Sequence, residues 1–130
     1  MKIEELSVGD WVQDKKGSIA QIIGIENWSD GYVLNVRING IDVGCVSANA
    51  IEPIPLTQEI LEKNGFKRNG VYNEWNIGTW RTPYLLGVSL ERPAITIKWN
   101  GSSVFIDQAK YAHQLHHAIR FSGCNKEIEL

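Results

Sequence analysis

The sequence predicts an α+β fold, mainly β, with an N-terminal β unit over residues 1–55 and a second unit over 56–130. Three observations carry that reading. Asn39-Gly40 and Asn100-Gly101 each stand between apolar runs, and both residue types tolerate the positive φ that a type I′ hairpin turn demands. Pro53 and Pro55 lie in Ile51-Glu52-Pro53-Ile54-Pro55-Leu56, where neither can donate to a sheet and each pushes its predecessor toward extended geometry. That segment reads as a stiff connector. After Asp107, apolar residues recur at helical spacing up to Gly123, a natural stop.

In the first unit, Gly9-Asp10 precedes Trp11-Val12-Gln13, and Lys15-Lys16-Gly17 supplies a turn into the apolar strand 18–25. Ser29-Asp30-Gly31 turns the chain again into Tyr32–Ile38. A two-residue loop at Asn39-Gly40 then pairs Ile38 with Ile41, Val36 with Val43 and Leu34 with Cys45 on one face. The opposite face pairs Arg37 with Asp42, an opposite-charge cross-strand pair. About five short strands in this span, opening with Leu6-Ser7-Val8-Gly9-Asp10-Trp11-Val12 and the turn before Ile19, resemble an SH3-like small barrel of the KOW type over residues 6–54.

In the second unit, Thr57 is placed to N-cap a helix over 58–64, with Leu56 and Leu61 at the spacing of a hydrophobic staple. Gly65 is expected to end it in a left-handed conformation, with Phe66 packing back. A β region punctuated by Asn69-Gly70, Asn76-Ile77-Gly78 and Arg92-Pro93 follows. Its best-defined hairpin pairs Trp99 with Ser102, Ile97 with Val104 and Ile95 with Ile106 on a side expected to be core, and on the mostly solvated reverse Lys98 with Ser103, Thr96 with Phe105 and Ala94 with Asp107. A final helix over 108–122 carries the buried stripe Gln108, Tyr111, Ala112, Leu115, Ala118, Ile119 and Ser122. The unit therefore reads α-β-β-β(β)-α, an antiparallel sheet with a helix at each end of the segment.

At 130 residues with 43% hydrophobic side chains the chain can build a real core. Its N-terminus mixes acids where a secretory signal would be apolar, and no run approaches the ~18 apolar residues of a membrane span. The cytosol is the expected compartment, with no membrane partner and with Cys45 and Cys124 as free thiols. Charge is uneven. Residues 1–55 hold four Lys/Arg against eight Asp/Glu, and residues 56–130 hold nine against seven. Phosphate neutralisation needs clustered cations, so only the second unit is open to nucleic acid.

No residue grouping announces catalysis. His113 and His117 stand one helical turn apart but fall opposite the core stripe, and Gln114 and Leu115 stand where an H-E-x-x-H motif would continue. A solvated helix face is the expectation, with no metal. Cys45 falls on the same face as Leu34 and Val36, so it reads as a small buried hydrophobe without a base beside it. There is no G-x-S-x-G and no phosphate-cradling glycine loop. Aromatics are more suggestive. Tyr72, Trp75, Trp80 and Tyr84 crowd into thirteen positions with Arg68 and Arg81 among them, a composition suited to stacking on bases or gripping a peptide. The competing reading is that Trp75 and Trp80 flank a turn at 76–79 and pack as a cross-strand pair.

The segments Ile51–Phe66 and Tyr111–Leu130 resemble a set of short uncharacterised proteins of Bacteroides-type bacteria, often associated with prophages or mobile elements. The resemblance implies a cytoplasmic bacterial or phage protein and brings no activity or site residues. The expected function is a non-catalytic interaction module with a protein partner and no cofactor. The alternative is nucleic-acid binding through Arg68, Tyr72, Trp75, Trp80, Arg81 and Tyr84.

Overall fold

A computed structural model describes residues 5–29, 31–70, 74–78, 84–99, 102–122 and 128–130. Within them the chain is mainly β, with two five-stranded antiparallel sheets and two α-helices. It divides into Met1–Ile54 and Pro55–Leu130. No helix among the described residues is long and apolar enough to cross a membrane.

The first unit contains β1 (Trp11–Asp14), β2 (Ile19–Trp28), β3 (Gly31–Ile38), β4 (Ile41–Ser47) and β5 (Ile51–Pro53), in the order β4-β3-β2-β1-β5. A 3-10 turn, Ala48–Ala50, joins β4 to β5. Turn chemistry sets the connections. Gly9 takes φ 97°, which lets the Asp10 amide close on the Ser7 carbonyl at 3.1 Å while the buried Asp10 carboxylate accepts from the Ser7 amide at 2.7 Å. In the next turn Asp14 Oδ1 accepts from the amides of Lys16 and Ser18 at 2.9 and 2.8 Å. Leu6, Val12, Ala20, Ile22, Leu34, Val36 and Ile51 form the core. No ladder between β4 and β5 closes this sheet into a barrel among the described residues.

Two expectations for this unit change. The connector begins later than expected, because Ile51–Pro53 pairs with β1 as a strand. Pro53 is tolerated there because β5 is an edge. The Asn39-Gly40 hairpin forms with φ 52° and 79° and the expected pairs Ile38 with Ile41, Arg37 with Asp42 and Val36 with Val43. Beyond Val43 the register slips, so that Leu34 faces Val46 rather than Cys45. Cys45 takes φ 57° and is exposed, not buried. Asn35 organises this bulge, accepting from the Cys45 amide at 3.4 Å, and a Cβ at Gly24 would stand 3.0 Å from its Nδ2.

The second unit begins with α1 (Gln58–Lys63), capped by Thr57 Oγ1, which accepts from the Ile60 amide at 3.4 Å. Leu56 and Leu61 are both buried. Gly65 (φ 87°) donates to Glu62 O and Phe66 to Leu61 O, the two bonds of a Schellman end. The Asn64 side chain, wholly buried, exchanges hydrogen bonds with the backbone of Glu129 in both directions, at 2.7 and 2.8 Å. It ties the 128–130 segment to α1.

The strands β6 (Lys67–Asn69), β7 (Glu74–Gly78), β8 (Leu85–Ser89), β9 (Ala94–Trp99) and β10 (Ser102–Asp107) follow, in the order β10-β9-β8-β7-β6. Trp75, Leu86, Val88 and Ile95 share one face and are buried. Asn76-Ile77-Gly78 is strand, not the expected turn. The β9–β10 register matches the expected pairs from Trp99–Ser102 to Thr96–Phe105, then slips so that Asp107 rather than Ile106 faces Ile95. Its Asn100-Gly101 turn lies outside the described residues.

The last helix, α2 (Ala112–Phe121), starts later than expected, because Gln114 Oε1 caps it there, accepting from the Lys110 and Tyr111 amides at 3.0 Å each. Gln108 is consequently exposed. Its buried side is also wider: His113 and His116 join Ala112, Leu115, Ala118 and Ile119. His113, expected to be solvated, is only 1% exposed.

Candidate interaction surface

Of the aromatic and arginine residues singled out in the sequence, the described ones, Arg68, Trp75 and Tyr84, do not converge on one patch. Trp75 is buried on the core face of β7, with Arg68 of the edge strand β6 opposite it and Val88 of β8 on its other side. The Arg68 guanidinium carbon lies 6.0 Å from the Trp75 ring centroid, a cation-π contact. Tyr84 precedes β8 by one residue, at the far end of that strand from Val88. With strands ~4.8 Å apart and ~3.3 Å per residue, Arg68 and Tyr84 are separated by about 16 Å. Tyr72, Trp80 and Arg81 lie outside the described residues, and so does the proposed Trp75–Trp80 pair.

Tyr84 finds a different neighbour. Its ring stacks on Trp99 of β9, with centroids 5.7 Å apart and planes at 28°. Both rings remain accessible, Trp99 at 47%. On the same face Ser102 stands opposite Trp99 and Val104 opposite Ile97, and Val104 is 66% exposed. Phe105, on the reverse face of β10, is 62% exposed. The β8–β9–β10 end of the sheet thus presents an aromatic pair beside an apolar edge strand, and exposed apolar surface of this kind marks sites of association. Sequence reasoning counted Trp99 and Val104 as core, since alternation gives the face of a side chain but not whether anything covers it.

The opposite face of the sheet carries a row that sequence reasoning missed. Asn76, Gly87 and Thr96 are direct neighbours across β7, β8 and β9. Gly87 leaves a gap, and the buried Glu74 carboxylate fills it: a Cβ on Gly87 would lie 2.6 Å from Glu74 Oε1. That oxygen accepts from Asn76 Nδ2 at 3.0 Å and lies 3.5 Å from Lys98 Nζ. Asn76 Oδ1 and Thr96 Oγ1 are buried without a hydrogen-bond partner. The readable signal was polar alternation, Glu74-x-Asn76 and Thr96-x-Lys98, around a strand glycine. The row sets an ion pair, an amide oxygen and a hydroxyl side by side within the sheet.

The histidines cluster around α2. His113 lies parallel to Tyr111 at 5.7 Å and edge-on to His117 at 5.9 Å, and His116 is 6.3 Å from His117. Among the described residues no group of three or more His, Cys, Asp or Glu could hold a metal ion. Cys45 is a free, exposed thiol, and Cys124 lies outside the described residues. Compared with known protein families, with curated proteins and with solved structures, the chain matches none.

Proposed function

We propose that the chain is a non-catalytic protein-docking module serving a phage or mobile element, with an SH3-like N-terminal unit and a docking surface at the β8–β9–β10 end of the second sheet. The strand order β4-β3-β2-β1-β5, with a 3-10 turn leading into the last strand, supports the SH3-like assignment. The observation that carries the docking reading is the exposed Tyr84–Trp99 stack running into Val104. Aromatic anchors at the centre of an apolar patch supply most of the energy in protein recognition.

Nucleic-acid binding through Arg68 and Trp75 is less favoured. Trp75 is 8% exposed, which leaves little π-face for a base.

A photo-crosslinking side chain at Trp99, in cells that encode the protein, tests the reading. A defined protein adduct, lost when Tyr84→Ala removes the neighbouring ring, supports it. Binding of single-stranded DNA that weakens steeply with salt, in a fluorescence titration, would overturn it.

A further inference from the structure

Among the described residues the two sheets have four outer edges, and three of them carry devices that prevent further strand pairing. The β5 edge is three residues long and ends in Pro53. The β6 edge is three residues long and presents the exposed cations Lys67 and Arg68. The β4 edge carries Asp42 and is broken by the left-handed Cys45 bulge. Short length, proline, charge and bulges are the known ways of blunting an edge.

The β10 edge has almost none of them. It is six residues long, and from Ser102 to Ile106 it contains no charge and no proline. Its register slip comes only after Phe105. It also exposes a bulky apolar side chain on each face, Val104 on one and Phe105 on the other.

We propose that β10 pairs antiparallel with β10 of a second copy of this chain, joining two sheets into one. This rests on the docking reading for its surface and adds the identity of the partner. A strand completing this edge needs no charge and an apolar residue toward each face. The segment Ser102–Ile106 meets that description itself. A twofold axis perpendicular to the sheet preserves its faces, so the register must match even-numbered residues with even and odd with odd. Centred on Val104, the axis sets Val104 against Val104 of the partner subunit on one face. On the other, Phe105 stands opposite Ser103 of the partner subunit and diagonal to Phe105 of the partner subunit, within reach of an aromatic side chain and with no like charges opposed.

Sedimentation velocity of the full chain, from micromolar to millimolar concentration, tests the assembly. The expected result is a concentration-dependent dimer that Val104→Lys weakens by about tenfold or more, since it removes the Val104 pair and opposes two ammonium groups across the axis. A second variant tests the register. Val104→Cys, in a Cys45→Ser, Cys124→Ser background, should oxidise to a covalent dimer, because directly opposed residues of an antiparallel pair lie within disulfide reach. Phe105→Cys in that background should not.

A wild-type chain that stays monomeric overturns the self-pairing. So does a dimer indifferent to Val104→Lys, or equal cross-linking at 104 and 105. None of these results touches the docking reading, which the Trp99 adduct decides separately.

Discussion

Replacing Gly87 by alanine should be one of the most damaging small changes in the second sheet, although Gly87 has an ordinary strand conformation. A methyl there would sit 2.6 Å from Glu74 Oε1 and 3.0 Å from Glu74 Cδ, against ~3.5 Å for comfortable contact. The carboxylate must retreat by nearly 1 Å, and it cannot do so while holding Asn76 Nδ2 at 3.0 Å and Lys98 at 3.5 Å. Overpacking costs about 1–3 kcal/mol, and a lost hydrogen bond to a buried charged group about 1.5–3 kcal/mol. The backbone itself prefers alanine by about 0.5–1 kcal/mol. The net expectation is a loss of about 2–4 kcal/mol, read from urea unfolding followed by tryptophan emission. In a Glu74→Ala background the obstruction is gone, and Gly87→Ala should become neutral or slightly stabilising. The double-mutant cycle should therefore show a coupling of about 3 kcal/mol. Additive effects, with coupling below about 0.5 kcal/mol, would refute the argument that Gly87 exists to seat the Glu74 carboxylate.

Three further outcomes are expected. Asn64→Ala removes both hydrogen bonds to Glu129 and one to Ile60 O, and should cost about 2–4 kcal/mol in urea unfolding while raising amide exchange at Glu129. Cys45→Gly should raise stability by about 1 kcal/mol, because the exposed Cys45 side chain holds φ 57°, where only glycine sits without strain. The Asp42 carboxyl is held below its ordinary value mainly by its side-chain hydrogen bond to Arg37. Any stability this pair adds is present above the unfolded-state value and is lost as pH falls through the folded one. An NMR titration should show the Asp42 pKa rising toward the ordinary carboxyl range in Arg37→Gln, and an unchanged titration would contradict the assignment.

Local chemistry was the legible part of this fold. Thr57, Leu56, Leu61 and Gly65 mark both ends of a helix within ten residues, and each acts through near neighbours that the sequence itself supplies. The Asn39-Gly40 turn fixed its flanking register for the same reason. What failed lay farther from a turn. In both hairpins the pairing holds for several residues and then slips, after Val43 in one and after Phe105 in the other. A bulge adds one residue to one strand only, so it leaves composition intact and reverses the faces of everything beyond it. Cys45 lost its expected partner Leu34 in that step, and it lies in an edge strand where even the in-register Ile41 and Val43 are exposed.

The exposure of Val104 and Trp99 was illegible for a second reason, which is also why it is informative. Whether Val104 is buried depends on the number of strands beyond it, and β10 proved to be last in its sheet. Trp99, one strand further in, still lies half open, because Tyr84 covers one side of it and the residue opposite it on the edge strand is only Ser102. Conversely Trp75, whose sequence neighbourhood looked like a binding cluster, has a strand on each side and is buried. Periodicity along the chain assigns a face, while strand order across the sheet decides which faces stay open. The same apolar alternation therefore makes a core at β7 and β8 and an unfilled edge at β10. A partner strand would give Val104 and Phe105 the neighbours that their counterparts in the interior of the sheet already have.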